Sequence, residues 1–212
     1  MPRSPKRPTK KSRTPQSRRD QILNAAAELI AEHGYHKTSM DAIALAVGIH
    51  KASLYHHFDS KEAIVIALHQ SINDMLFDRH RVRTEAGSLP AGGQLFEIMM
   101  DIVSLAETHP GQLRILFDHY RELPEAMQKQ VIARRKAYRD LIIQVLKRGT
   151  AEGAFGDIDV DFAARAIIGL CDWANQWYRP SGPLGVRAVA GRAWNLLVVG
   201  LGSGGLKQSL LP

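Results

Sequence analysis

Apolar positions recur along this chain at intervals of three and four, the spacing that gathers side chains on one face of a helix. Met40, Ile43, Ala44 and Val47 make one such face about two turns long. Ile64, Leu68, Ile72, Met75 and Leu76 mark a long helix from Asp59 to about Arg83, which Gly87, Pro90, Gly92 and Gly93 then break. Leu95, Ile98, Met99, Ile102, Val103 and Leu105 form a helix ending before Pro110, and Leu113, Ile115, Leu116, Phe117 and Tyr120 a shorter one ending before Pro124. Neither alternates as a strand would. A further long helix runs from Glu125 to Gly153 on Met127, Val131, Tyr138, Leu141, Ile142, Val145 and Leu146. Two more cover about Asp159 to Tyr178 and Pro183 to Leu201, separated by the turn-forming Arg179-Pro180-Ser181-Gly182-Pro183. The pattern predicts an all-α protein.

The polar residues between the first helices punctuate them. Ser17 with Asp20, Thr38 with Asp41, and Asp59 with Glu62 have the spacing of N-terminal capping boxes. Gly48 can enter the left-handed backbone region at least steric cost, so it marks a reversal between a short helix and the next. Ile49, Leu54 and Phe58 then anchor that next helix inward. Lys51, Ala52, Ser53, Tyr55 and His56 are left to an outside partner, which makes the unit a helix-turn-helix with a major-groove face. Lys51 suits a phosphate or a guanine edge, and small Ala52 and Ser53 let the backbone approach the bases. Tyr55, His56, Lys61 and the hydroxyl of Thr38 complete the expected DNA-binding set, the first three as phosphate contacts.

These residues resemble a known family. Ile22-Leu23, Ala25-Ala26, Leu29-Ile30, Gly34-Tyr35, Thr38-Ser39-Met40, Ile43-Ala44, Gly48-Ile49 and Ser53-Leu54-Tyr55-His56-His57-Phe58 with Ser60-Lys61-Glu62 look like the N-terminal domain of TetR-type (tetracycline-repressor-like) transcriptional regulators. The likeness covers about residues 18 to 66. His50 departs from it, standing where such proteins commonly carry Ser or Thr as the cap of the recognition helix. The resemblance implies a homodimer joined by two helices from each subunit, with two recognition helices ~34 Å apart on a palindromic operator. It also implies a small-molecule effector, with repression as the usual outcome.

Charge adds an arm to this picture. The net charge is +7, and Arg3, Lys6, Arg7, Lys10, Lys11, Arg13, Arg18 and Arg19 all precede the first acid, Asp20, so the rest of the chain is close to neutral. A segment of Pro, Ser, Thr, Lys and Arg lacks the apolar surface to fold alone but suits DNA phosphates. The expected organisation is a disordered basic arm at 1–17, a helix-turn-helix domain at 18–64, and a helical ligand-binding and dimerisation domain at 65–212. No apolar run is long enough to span a membrane, and the N-terminus lacks the hydrophobic segment of a secretion signal, so a cytoplasmic location is expected. The single Cys171 lies in an apolar helical pattern and reads as a packing residue.

Catalytic chemistry finds little support. No G-x-S-x-G elbow, H-E-x-x-H pair, phosphate-binding loop or dinucleotide fingerprint occurs, and no cofactor, metal or catalytic residue is expected. An enzyme and a helical adaptor without DNA specificity are the rival classes.

The effector site is less legible. Phe96, Met99, Met100, Val103, Leu116, Phe117, Tyr120, Tyr138 and Trp173 are candidates to line an apolar cavity in the bundle. The segment Trp173 to Leu184, with Trp177 and Arg179, resembles TetR-type regulators of lipid, steroid or aromatic-acid breakdown that answer to acyl-CoA thioesters. That resemblance implies an acyl group in the bundle and phosphates on Arg121, Arg139 or Arg179. By residue type alone, Arg134, Arg135, Lys136 and Arg139 read as a solvated helix face. Ala163, Ala166, Gly169, Ala174, Ala190, Ala193 and Gly200 allow close helix packing, and with Trp173, Trp177 and Trp194 they mark the last two helices as the dimer surface.

Overall fold

The computed structural model describes residues 17–87, 89–115 and 123–201; the basic arm up to residue 16 and the candidates Leu116, Phe117, Tyr120 and Arg121 lie outside the described residues. Within that range the chain forms helices α1 (Arg18–His33), α2 (Met40–Val47), α3 (Lys51–His57), α4 (Lys61–Glu85), α5 (Ala91–Thr108), α6 (Pro110–Arg114), α7 (Glu125–Ala151), α8 (Val160–Trp177) and α9 (Val186–Leu201). The architecture is all-α, as the spacing predicts.

Local caps set the boundaries. Ser17 accepts a hydrogen bond from the Asp20 amide at 3.1 Å and opens α1. At α2 the cap is Ser39 and not Thr38, because Ser39 holds the extended backbone one residue before the helix and accepts from the Ala42 amide. Thr38 instead donates its hydroxyl to the Gly34 carbonyl at 3.0 Å, closing the end of α1. The same one-residue shift makes Ser60, and not Asp59, the cap of α4. Gly48 sits at φ 69°, ψ 39°, and the Ile49 amide reaches back to the Ala44 carbonyl at 3.0 Å, so the left-handed residue satisfies the end of α2 while turning the chain.

Two apolar cores share one helix. Ile22, Ala26, Ile30, Ile43, Leu54 and Phe58 of the first three helices enclose Ile64, Val65 and Leu68 from the start of α4. Three residues that follow α6 in sequence, Ile115, Leu123 and Val131, complete that core, which therefore draws on both halves of the chain. From Ile72 onward α4 belongs to the second core, built around α5 by α7, α8 and α9 with Ile98, Met99, Ile142, Leu146 and Ile167. Cys171 is fully buried there, and burial pushes its thiol up to about 12, which leaves it a packing residue.

Gly149 is buried inside α7 for a tertiary reason. A Cβ there would come within 2.3 Å of the Phe155 ring and 3.1 Å of the Ala91 side chain, because the chain after α7 folds Phe155 back under its last turn. Helix propensity alone would favour Gly149→Ala by about 1 kcal/mol. Overpacking at about 1–3 kcal/mol outweighs it, so a net loss is expected. A urea midpoint equal to or above that of the wild type would show that Phe155 yields freely.

Candidate nucleic-acid interface and effector cavity

The exposed face of α3 comes from its register against α1 and α2. Leu54 and Phe58 point inward at 0% and 5% exposure, while Lys51, Ala52, Tyr55, His56 and His57 remain exposed and Ser53 half-buried. Arg19 stacks over Phe58 at 5.0 Å, tying α1 to the end of α3. His50 occupies the cap position of α3 and makes no side-chain capping bond, as expected of an imidazole there. Lys51 reaches back to Asp41, with its ammonium 2.9 and 3.0 Å from the two carboxylate oxygens. That hydrogen bond holds the ammonium pKa above its ordinary value. Both partners are solvent-exposed, so the pair is weak and open to exchange for a phosphate or a base edge.

Two residues expected on the DNA face have structural duties instead. Thr38 is 3% exposed, its hydroxyl spent on Gly34. Lys61 donates to the Tyr35 carbonyl at 2.7 Å and the Thr38 carbonyl at 3.0 Å, and its ammonium lies 4.0 Å from the Tyr35 ring centroid. Tyr35 in turn donates its hydroxyl to Glu62 at 2.8 Å, and these hydrogen bonds, with backbone donation to the carboxylate foremost, hold the Glu62 carboxyl below its usual range. The turn after α1 is thereby clamped to the first turn of α4.

Beside the middle of α4 a cavity of about 330 Å³ opens between α4, α5, α7 and α8. Ile72, Leu76, Ile102, Leu105, Leu113 and Ile168 form its apolar wall. Arg135, Tyr138 and Arg139 of α7, and Arg165, Gly169 and Asp172 of α8, enter it at helical spacings of three and four, with Asn73 from α4. Arg135 and Arg139 thus face the cavity, contrary to the solvated face expected of them, because α7 packs between α4 and α8 over this stretch. Asp161 pairs with Arg165 at 2.7 Å and Arg139 at 3.6 Å on the rim.

Among the described candidates for the effector, Tyr138 lines this cavity, as does Arg139, one of the arginines expected to meet the phosphates. The others stand elsewhere. Met99 and Val103 are fully buried in a filled core, and Met100 packs against its edge. Phe96 meets Trp194 edge-on at 5.8 Å, which takes Trp194 into its own protomer and away from the expected dimer surface. Trp173 and Trp177 are 64% and 47% exposed on α8, and Arg179 donates to the carbonyls of Gln176 and Tyr178. The sequence does carry a signal for this cavity, a pair of helices with Arg and Asp at three- and four-residue spacing beside an apolar stripe.

Two titratable groups beside Arg135 pull stability in opposite directions. His69 is 2% exposed with neither ring nitrogen hydrogen-bonded; burial, then Arg135, push its pKa down to about 4. The unfolded chain therefore takes up a proton near pH 6.5 that the folded protein refuses, and this contribution to stability is lost as pH falls from 6.5 to about 4. Burial pushes the Asp172 carboxyl up to about 7, with Arg135 opposing. Its contribution falls as pH rises from about 4 to about 7, since the unfolded carboxyl ionises first. Asp172→Asn should leave a stability that climbs more steeply with pH than that of the wild type, and His69→Leu one that declines. Parallel urea-midpoint profiles for all three proteins between about pH 4.5 and 7 would refute both assignments.

Among the described residues no helix is long and apolar enough to cross a membrane. Residues 22–68 match the family described as bacterial regulatory proteins, tetR family, and residues 88–201 match the tetracyclin repressor-like C-terminal domain. The HTH-type transcriptional repressor KstR2 of Mycolicibacterium smegmatis is 33% identical over 197 residues, covering 92% of this chain and 93% of the relative. The solved ketosteroid transcriptional regulator KstR2 of Mycobacterium tuberculosis superposes with a TM-score of 0.77 at 33% identity, covering 89% of this chain and 97% of that one. AibR in complex with isovaleryl coenzyme A and operator DNA superposes with a TM-score of 0.73 at 26% identity, over 85% of this chain and 97% of that one. These are regulators and not enzymes. The chain belongs to the TetR family of bacterial DNA-binding transcriptional regulators.

Proposed function

We propose that the protein is a homodimeric, effector-released repressor of a palindromic operator, acting in the cytoplasm where that DNA lies. Lys51, Ala52, Ser53, Tyr55 and His56 form the groove face, Lys51 exchanging Asp41 for DNA. The effector is an acyl-CoA thioester or a similar amphiphile, its apolar part in the α4–α5–α7–α8 cavity and its phosphates near Arg135, Arg139 and Arg165. One observation carries this reading: the cavity wall includes Ile72, Asn73 and Leu76 of α4, the helix whose first turn is clamped to the DNA-binding unit through Lys61 and Glu62. An occupant that fits better when α4 is displaced would shift the recognition helices off operator spacing, and that difference in affinity would drive release. The complex of AibR with isovaleryl coenzyme A supports the ligand class by likeness.

Selection of bound sequences from a random DNA pool should return a palindrome, and titrating that complex with acyl-CoA thioesters should release it. A palindrome with no response to any thioester would remove the ligand class and keep the repressor. Uniformly weak binding to all DNA would favour a helical adaptor.

A further inference from the structure

The cavity holds a hydroxyl with nothing to bind. Tyr138 is 6% exposed, and its phenol oxygen is buried without a hydrogen-bond partner. Phe77 meets its ring edge-on at 5.5 Å, so the side chain is packed in place and does not turn out to water. An unpaired buried hydroxyl costs about 1–3 kcal/mol, a penalty that a bound oxygen atom would remove. Burial of the phenol also disfavours its ionised form, so Tyr138 is an O–H donor throughout the physiological range.

The rest of the cavity divides by polarity. Arg165, more than half exposed, and Arg139 stand at the rim beside Asp161. Ile102, Leu105 and Ile168 supply apolar wall to the same cavity as Tyr138, with Arg135, Asn73 and Asp172 as its other polar side chains. A purely hydrocarbon body would leave the phenol unpaired, whereas a carboxylate at that end would be desolvated beside Asp172, a carboxyl that lines the same cavity.

We propose that the effector carries an uncharged oxygen acceptor, such as a ketone, on the apolar body that enters the cavity, and that Tyr138 selects for it by donating a hydrogen bond. The anionic end stays with the arginines at the rim. This assignment rests on the reading of the cavity as the effector site and adds to it the internal oxygen and the residue that recognises it.

Decanoyl-CoA and its 7-, 8- and 9-oxo derivatives move one ketone along a constant chain, and calorimetric titration of the intact wild-type protein and Tyr138→Phe compares them. At least one oxo chain is expected to bind the wild type about tenfold more tightly than decanoyl-CoA. In Tyr138→Phe that ratio should fall below about twofold, with decanoyl-CoA itself bound no more weakly than before. The phenylalanine keeps the ring and its contact with Phe77, so a melting temperature at or above that of the wild type accompanies the expected result. Equal binding of all four chains by the wild type, or an oxo preference that persists in Tyr138→Phe, overturns the assignment and leaves the effector site standing. Failure of every thioester to bind the wild type overturns both.

Discussion

Glutamate at both Phe162 and Trp173 is expected to leave the protein helical but monomeric, with operator affinity lowered by about 10³-fold, toward the non-specific level. The reason is an apolar stripe that a lone protomer exposes. Phe162, Trp173 and Trp177 are 69%, 64% and 47% exposed, and their spacing along α8 places them with Ala166 and Leu170 on one side of the helix. Leu196 of α9, 72% exposed, borders the same groove as Phe162 and Ala166. Monomeric proteins rarely leave large apolar side chains clustered in this way, and aromatic anchors of this kind dominate subunit interfaces. Two carboxylates placed in that surface would have to be desolvated against their symmetry mates, which disfavours pairing without touching either core. Sedimentation velocity would report the mass, and fluorescence anisotropy the affinity for the selected operator. A wild-type protein that sediments as a monomer, or a variant that keeps full affinity, would eliminate this interface.

The second large effect is expected at Ala52→Glu. Position 52 is exposed in the first turn of α3, a turn that carries no acidic residue. A carboxylate there is favourable to the positive end of the helix, so thermal stability should hold or rise slightly. Against DNA the same charge faces phosphates and the electronegative groove floor, and specific binding should fall by at least about 100-fold. Stability and binding therefore move in opposite directions, which separates damage to the groove face from damage to the fold. Unchanged operator binding would mean that α3 does not enter the groove by this face.

The helices and their order were legible because their signals are local. Ser17, Gly48 and the inward set Leu54 and Phe58 do what their immediate neighbours require. The capping serines illustrate the limit of that reading. Thr38 and Ser39 offer the same hydroxyl one residue apart, and the choice between them depends on whether the backbone there is already extended and on the Gly34 carbonyl that claims Thr38. Lys61 shows it at longer range. Its position next to the recognition helix suggests phosphate, yet two carbonyls from residues 23 and 26 positions away hold it. Residue type marks apolar side chains as candidates for a cavity without saying which of them fill the core, and Met99 and Val103 fill it.

By itself the sequence determined the all-α class, the turn at Gly48, the outward set on α3 and the family, since each depends on chemistry within a few residues or on a motif read in order. Only the tertiary structure decided that α4 serves both cores, that Arg135 and Arg139 turn toward a cavity, that Trp194 packs inward while Trp173 stays exposed, and that Tyr138 is left without a partner. A cavity is the space that several helices fail to fill together. Periodicity along any one of them records which side faces inward, and the fit between facing sides is settled only when they meet.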